Sequence, residues 1–166
     1  MFTHKQTISP QGMVYSVQTL TAPMVASEGL EETAGKLYFL HVYRVGFPLI
    51  QTRQRPDGGG EILALGLRLL SFSRPIISPG SIRYPIESGL VVQKGREGQG
   101  HLQMAFGGGS VSLMVDGYYA SLPGPRTRRI RTWFYNRTQA ALHVHIARGY
   151  LPKLAELVRE NPRWDR

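Results

Sequence analysis

Seven residues near the end of the chain, Trp133, Ala140, Val144, Ala147, Leu151, Leu154 and Val158, follow one another at intervals of 7, 4, 3, 4, 3 and 4. At about 100° per residue they fall in a stripe narrower than one face of a helix. The alternation that a strand needs fails after Ile146, where Ala147, Arg148, Gly149 and Tyr150 follow. A long amphipathic C-terminal helix is therefore expected, and its apolar side needs a surface to lie on. Pro152 lacks an amide donor and crowds the carbonyl of Arg148, which predicts a kink or a break between Gly149 and Pro152.

The rest of the chain supplies that surface as strands. "MVYSVQTLT" (13–21) alternates Val14, Ser16 and Gln18 with Tyr15, Val17 and Thr19, which favours an extended strand. "SVSLMVDGYYASL" (110–122) sets Val111, Leu113 and Val115 on one face against Ser112, Met114 and Asp116, with Gly117 marking a bulge. Segments 81–93 and 101–106 read as a hairpin around the charged turn "KGREGQG". "EILALGLRLLSFSRP" (61–75) fits either periodicity, and Gly66 with its flanking turn residues favours a strand. "ASEGLEETAGK" (26–36), with Glu28, Glu31 and Glu32 before Gly35, suits a short helix. The aromatic and β-branched run "KLYFLHVYRVGFPLI" (36–50) predicts a buried strand. The glycines of "RQRPDGGGE" (53–61) suit a hairpin connection, and the Lys-Ser/Thr ending of a phosphate-binding loop is missing.

At 166 residues, 42% of them apolar, one folded domain over residues 1–166 is expected. The apolar runs are too short for a membrane span, and the N-terminus lacks the basic-then-apolar order of a secretory signal, so a cytoplasmic, soluble protein is expected. The absence of cysteine excludes disulfides, thiolate metal sites and cysteine nucleophiles. G-x-S-x-G, H-E-x-x-H, a dinucleotide-binding G-x-G-x-x-G and an EF-hand loop are all missing, so no catalytic residue and no cofactor is assigned. Glu61, Glu87, Glu97, Asp116 and Glu156 remain the carboxylates from which an acid/base pair could come, although turn or edge solvation accounts for Glu87 and Asp116.

The net charge of +9 favours anionic company. Arg126, Arg128, Arg129 and Arg131 lead into the helix, and Arg137, Arg148 and Arg159 recur along it every eleven residues. Such a row serves as a solvated face pairing with Glu156 and Glu160, or as a surface for nucleic acid or an anionic membrane, for which Arg126, Arg128, Arg129, Arg131, Arg137 and Arg148 are the candidates. On a helix His143 and His145 point about 200° apart and cannot share an ion. On a strand they would resemble the paired ligands of a cupin metalloenzyme, but the carboxylate expected three or four positions later is replaced by Arg148 and Gly149.

Antiparallel strands from Met13 to Trp133 followed by a helix around Ala140 to Val158 resemble the START-like, or polyketide-cyclase-like, helix-grip superfamily. The resemblance implies an α+β fold in which a curved antiparallel sheet of about six or seven strands wraps a long kinked C-terminal helix. It also implies a cavity for apolar ligands such as lipids or polyketides. The superfamily inserts two helices after its first strand, whereas Thr21 to Lys36 has room for one. Small residues at Ala140 and Ala147 would leave volume between helix and sheet. The candidate lining is then Phe39, Tyr43, Met104, Met114, Tyr118, Ala140, His143, Ala147 and Leu151, and the expected partner is a small hydrophobic molecule, with no metal.

Overall fold

The computed structural model describes residues 1–22, 29–120 and 128–159, the stretch 128–142 by its backbone. Among these residues the order of elements is β1 (Phe2–Ile8), β2 (Met13–Thr21), α1 (Leu30–Gly46), β3 (Ile50–Gln54), β4 (Gly60–Ala64), β5 (Leu67–Phe72), β6 (Ile76–Ser78), β7 (Ser81–Ser88), β8 (His101–Gly107), β9 (Ser110–Tyr119) and α2 (Arg128–Arg159). The fold is α+β. The nine described strands form one antiparallel sheet in the order β1-β2-β9-β8-β7-β5-β4-β3, with β6 paired to β7. The sheet is larger than the six or seven strands expected, because β1 pairs along its whole length with β2 and segment 61–75 divides into the hairpin β4–β5.

The face of β9 carrying Val111, Leu113 and Val115 is buried, as the alternation requires. At its end the register slips: Ser16 pairs with Val115 but Val14 pairs with Tyr118, so β9 spends one extra residue there. Gly117, at φ 69°, absorbs the slip. The bulge turns Tyr118 onto the face it would otherwise leave.

Segment 36–50 corrects the expectation of a strand. It is the body and end of α1, which starts at Leu30 with Glu31 and Glu32 in its first turn and closes with Arg44 in its last. Leu30, Ala34, Tyr38 and Val42, four residues apart, share one buried face with Phe39 and His41. Pro48, without an amide hydrogen, prevents the helix from continuing into β3. α1 packs on β3 and β7 and meets α2. The Tyr150 hydroxyl donates to the Ala34 carbonyl at 3.0 Å, and the Lys153 ammonium reaches His41 Nδ1 at 3.2 Å. Gly149 lets the helices approach closely at this crossing, since a Cβ there would lie 2.7 Å from His41 Nε2 and the imidazole would have to shift.

α2 is a helix as the spacing predicts, and Ala147, Leu151, Leu154 and Val158 are buried. It runs without a break through Pro152. Pro152 and Arg148 are both exposed, so the carbonyl that loses its donor faces water and the ring has room outward.

The centre of the core is aromatic. Phe39 meets Tyr38, Phe72 and Tyr84 edge to face, with ring centroids 5.6, 5.7 and 5.3 Å away. Gly60 on β4 lies directly beneath Phe39, where a Cβ would come within 2.6 Å of the ring. Gly60→Ala is therefore expected to cost about 1–3 kcal/mol through overpacking, measured by urea denaturation, because the neighbouring rings leave Phe39 nowhere to move.

Candidate functional site

Between the sheet and the two helices lies a cavity of about 130 Å³. Ile62, Phe72, Ile86, Leu102 and Val115 form its sheet side, Tyr38 and Val42 its α1 side, and His143 and Ile146 its α2 side. Ile50, Leu69, Leu70, Val91 and Tyr118 complete the wall. The sheet-side residues are buried, whereas Ile50, Leu69, Leu70 and Val91 are half-buried, so the thin part of the wall lies where β3, β5 and the segment after β7 come together.

Of the three expected lining residues with polar groups, Tyr43, Tyr118 and His143, the structure brings the last two to this cavity. The Tyr118 hydroxyl donates to the Val91 carbonyl, which ties β9 to the segment after β7. His143 is half-buried on α2 and borders the void. Its Nε2 is fully covered and has no hydrogen-bond partner among the described residues. Burial, with the nearby His4 adding to it, pulls the His143 pKa down to about 4, so the imidazole is neutral at physiological pH. Burial also raises the Tyr38 phenol above its ordinary value. A neutral imidazole carries one donor and one acceptor nitrogen, so this wall can offer a hydrogen bond without presenting a charge.

The other expected lining residues are placed elsewhere. Phe39 is on α1 and packs behind Phe72, one layer away from the void. Tyr43, expected to face inward, is 37% exposed at the outer edge of α1 and stacks obliquely near Phe47. Met104 is fully buried on β8, and Ala147 and Leu151 are fully buried on α2, but none of the three borders the cavity. Met114 lies half-buried on the opposite face of β9, as its own alternation with Leu113 and Val115 requires. Ala140 falls in the part of α2 whose side chains lie outside the described residues. Sequence reasoning passed over most of the wall: Val42, Ile62, Ile86, Leu102, Val115 and Ile146 are ordinary core aliphatics, and their one available signal was inward alternation or helical spacing.

His145 is exposed on the far side of α2 from His143, and among the described residues no group of three or more potential metal ligands occurs. None of the five candidate carboxylates lines the cavity. Glu61 pairs with Arg68 at 3.0 Å. Glu87 accepts from Arg55 at 2.8 Å and from Ser71 at 3.1 Å, and the Arg55 guanidinium holds its pKa below the usual carboxylate value. The same guanidinium pulls Asp57 down to about 2.

Of the arginine row, Arg126 lies outside the described residues, and Arg128, Arg129, Arg131 and Arg137 lie where only the α2 backbone is described. Arg148 is exposed and stands over the Phe2 ring, 5.6 Å from its centroid, a cation–π contact with β1. Among the described residues no helix is long and apolar enough to cross a membrane.

The chain matches no protein-family model and no curated protein. Among solved structures it is similar to the crystal structure of Ara h 8.0201, at 11% identity and TM-score 0.40, over 97% of this chain and 99% of that one. It is also similar to CalU16 from Micromonospora echinospora, at 11% identity and TM-score 0.33, over 96% of each chain.

Proposed function

We propose that this protein binds a small, uncharged, apolar or amphipathic molecule in the cavity between its sheet and its two helices. The observation that carries the reading is a void of about 130 Å³ whose wall is almost wholly aliphatic and aromatic, with His143 on its border. Apolar cavities of about 150 Å³ stay dry and accept a benzene-sized guest. The enclosed part therefore suits one ring or a short hydrocarbon segment. A longer molecule would leave through the thin wall at Ile50, Leu69, Leu70 and Val91. Tyr38, Tyr118 and His143 are the wall residues that carry polar groups, and a hydroxyl or carbonyl on the occupant would be placed beside them.

The test is native mass spectrometry of protein purified without detergent, together with thermal shift against a panel of phenols, short fatty alcohols and small polyketides. A ligand at a hundredfold excess over its Kd adds about 2.7 kcal/mol, which for a chain of this length raises Tm by roughly 5–10 °C. Ile146→Trp, which places an indole in the void, is expected to abolish that rise while leaving a cooperative melt. If no extracted ligand and no thermal shift is found for the native protein, the proposal fails.

A further inference from the structure

We infer that the surface surrounding the thin wall of the cavity docks on an anionic lipid membrane. Five large apolar side chains there are turned to solvent: Phe47 (60% exposed), Leu49 (61%), Leu65 (79%), Leu67 (60%) and Leu90 (59%). Backbone contacts bring the segments that carry them together. Phe47 and Leu49 bracket Pro48, the Leu65 amide donates to the Leu49 carbonyl at 3.1 Å, and the Leu90 amide donates to the carbonyl of Arg68, next to Leu67, at 3.1 Å. Contiguous exposed apolar surface of this kind marks an interaction site. Three of the five adjoin a half-buried wall residue in sequence or are one removed from it: Leu49 from Ile50, Leu67 from Leu69, Leu90 from Val91.

The tip of the patch is held against local preference. Leu65 and Gly66 form the two-residue turn between β4 and β5, with φ of 50° and 80°. Turns of this geometry favour Asn-Gly or Asp-Gly, whose residues tolerate the left-handed region. A leucine at the first position has the backbone cost without the local hydrogen bonding, and it presents its side chain almost fully to water. Neither the turn nor the core benefits from it, which points to a use outside the molecule.

Charge selects the occupant. Segments 40–50, 61–70 and 88–92 contain three charged residues, the exposed Arg44 and Arg68 and the buried Glu61, which leaves one net positive charge and turns only cations to solvent. Arg44 makes no salt bridge among the described residues, and Arg68 reaches Glu61 at 3.0 Å from an exposed position. Apolar tips carried on a cationic rim suit the interface of a bilayer containing anionic lipid, where leucine and phenylalanine enter the headgroup boundary and arginine meets phosphate. A second copy of this chain would bring the same two cations, within a net charge of +9, to the contact. The docking surface does not depend on the identity, or the existence, of a cavity ligand.

The experiment is flotation of the full chain with vesicles of phosphatidylcholine alone and of phosphatidylcholine with about one third phosphatidylserine, at low and at physiological salt. The native protein is expected to float with the anionic vesicles and less with the neutral ones. Leu65→Asn supplies the residue the turn prefers, so it is expected to hold or raise Tm while lowering the vesicle partition roughly tenfold through loss of one buried leucine. Leu49→Ser adds to that loss, and Arg44→Glu removes the preference for anionic lipid. Three results overturn the inference: no flotation with anionic vesicles at low salt, flotation unchanged by Leu65→Asn and Leu49→Ser together, or a concentration-dependent dimer in sedimentation that those substitutions dissociate.

Discussion

Phe39→Ala is expected to lose about 3–5 kcal/mol of stability, read as a lower urea midpoint at unchanged slope. The side chain is 2% exposed and sits at the meeting point of α1, β4, β5 and β7, edge to face with three other rings. Its backbone is fixed as well, because the Thr52 hydroxyl donates to the Phe39 carbonyl at 3.1 Å and ties α1 to β3. Those fixed neighbours prevent collapse into the space, so the cavity penalty adds fully to the lost transfer energy. Phe72 and Tyr38 would lose their support on one side, and the void they border would widen. Tyr43→Ala, one turn further along the same helix, is expected to stay within about 1 kcal/mol because that side chain lies at the outer edge of the helix, 37% exposed and outside the core. Equal losses for the two substitutions would show that α1 does not sit on the sheet as described.

Those two residues also show how far the sequence could be read. Phe39 and Tyr43 belong to a run whose aromatic and β-branched content fits a pleated, half-buried surface, and such content reports burial rather than backbone type. The helical signal was present in Leu30, Ala34, Tyr38 and Val42, but it begins before Lys36, where the change of composition suggested a boundary. α2 was legible because its stripe extends over many turns, long enough to exclude alternation. β9 was legible because one face is buried and the other is not. The turn at Leu65 was not, since its first residue contradicts the turn's own chemistry. The cavity is a volume left over after elements far apart in sequence have packed, and no local pattern encodes it. What could be found were two of its polar members, Tyr118 as one of two adjacent tyrosines on a strand and His143 at the border of a helical stripe, whereas Tyr38 was passed over.

Acid is expected to weaken the fold well above the range where carboxylates titrate, and His143 is the main cause. Its pKa falls from 6.5 to about 4 on folding. Above pH 6.5 both states are neutral and nothing is lost. Between pH 6.5 and 4 the unfolded chain takes up a proton that the native ring refuses, so stability declines as the pH falls, by about 1.4 kcal/mol per unit once the unfolded ring is largely charged. Below pH 4 the native ring is protonated as well, and the loss levels off at about 3 kcal/mol. His41 and His101 are also held below their ordinary values by burial, with Lys153 and Arg83 respectively adding repulsion, so they act in the same direction. Asp57 acts later: its pKa is depressed to about 2 by Arg55, so its contribution survives this window and disappears as the pH falls from the ordinary carboxylate value through about 2. Urea midpoints of the native protein at pH 7, 5.5 and 4 therefore fall steadily. In His143→Leu the same series is expected to be flatter by about 3 kcal/mol at its acid end, with stability at pH 7 equal or higher because a covered, unpartnered nitrogen has been replaced by carbon. A native protein as stable at pH 4 as at pH 7, or a slope undiminished by the substitution, would place the imidazole in water and remove it from the cavity wall.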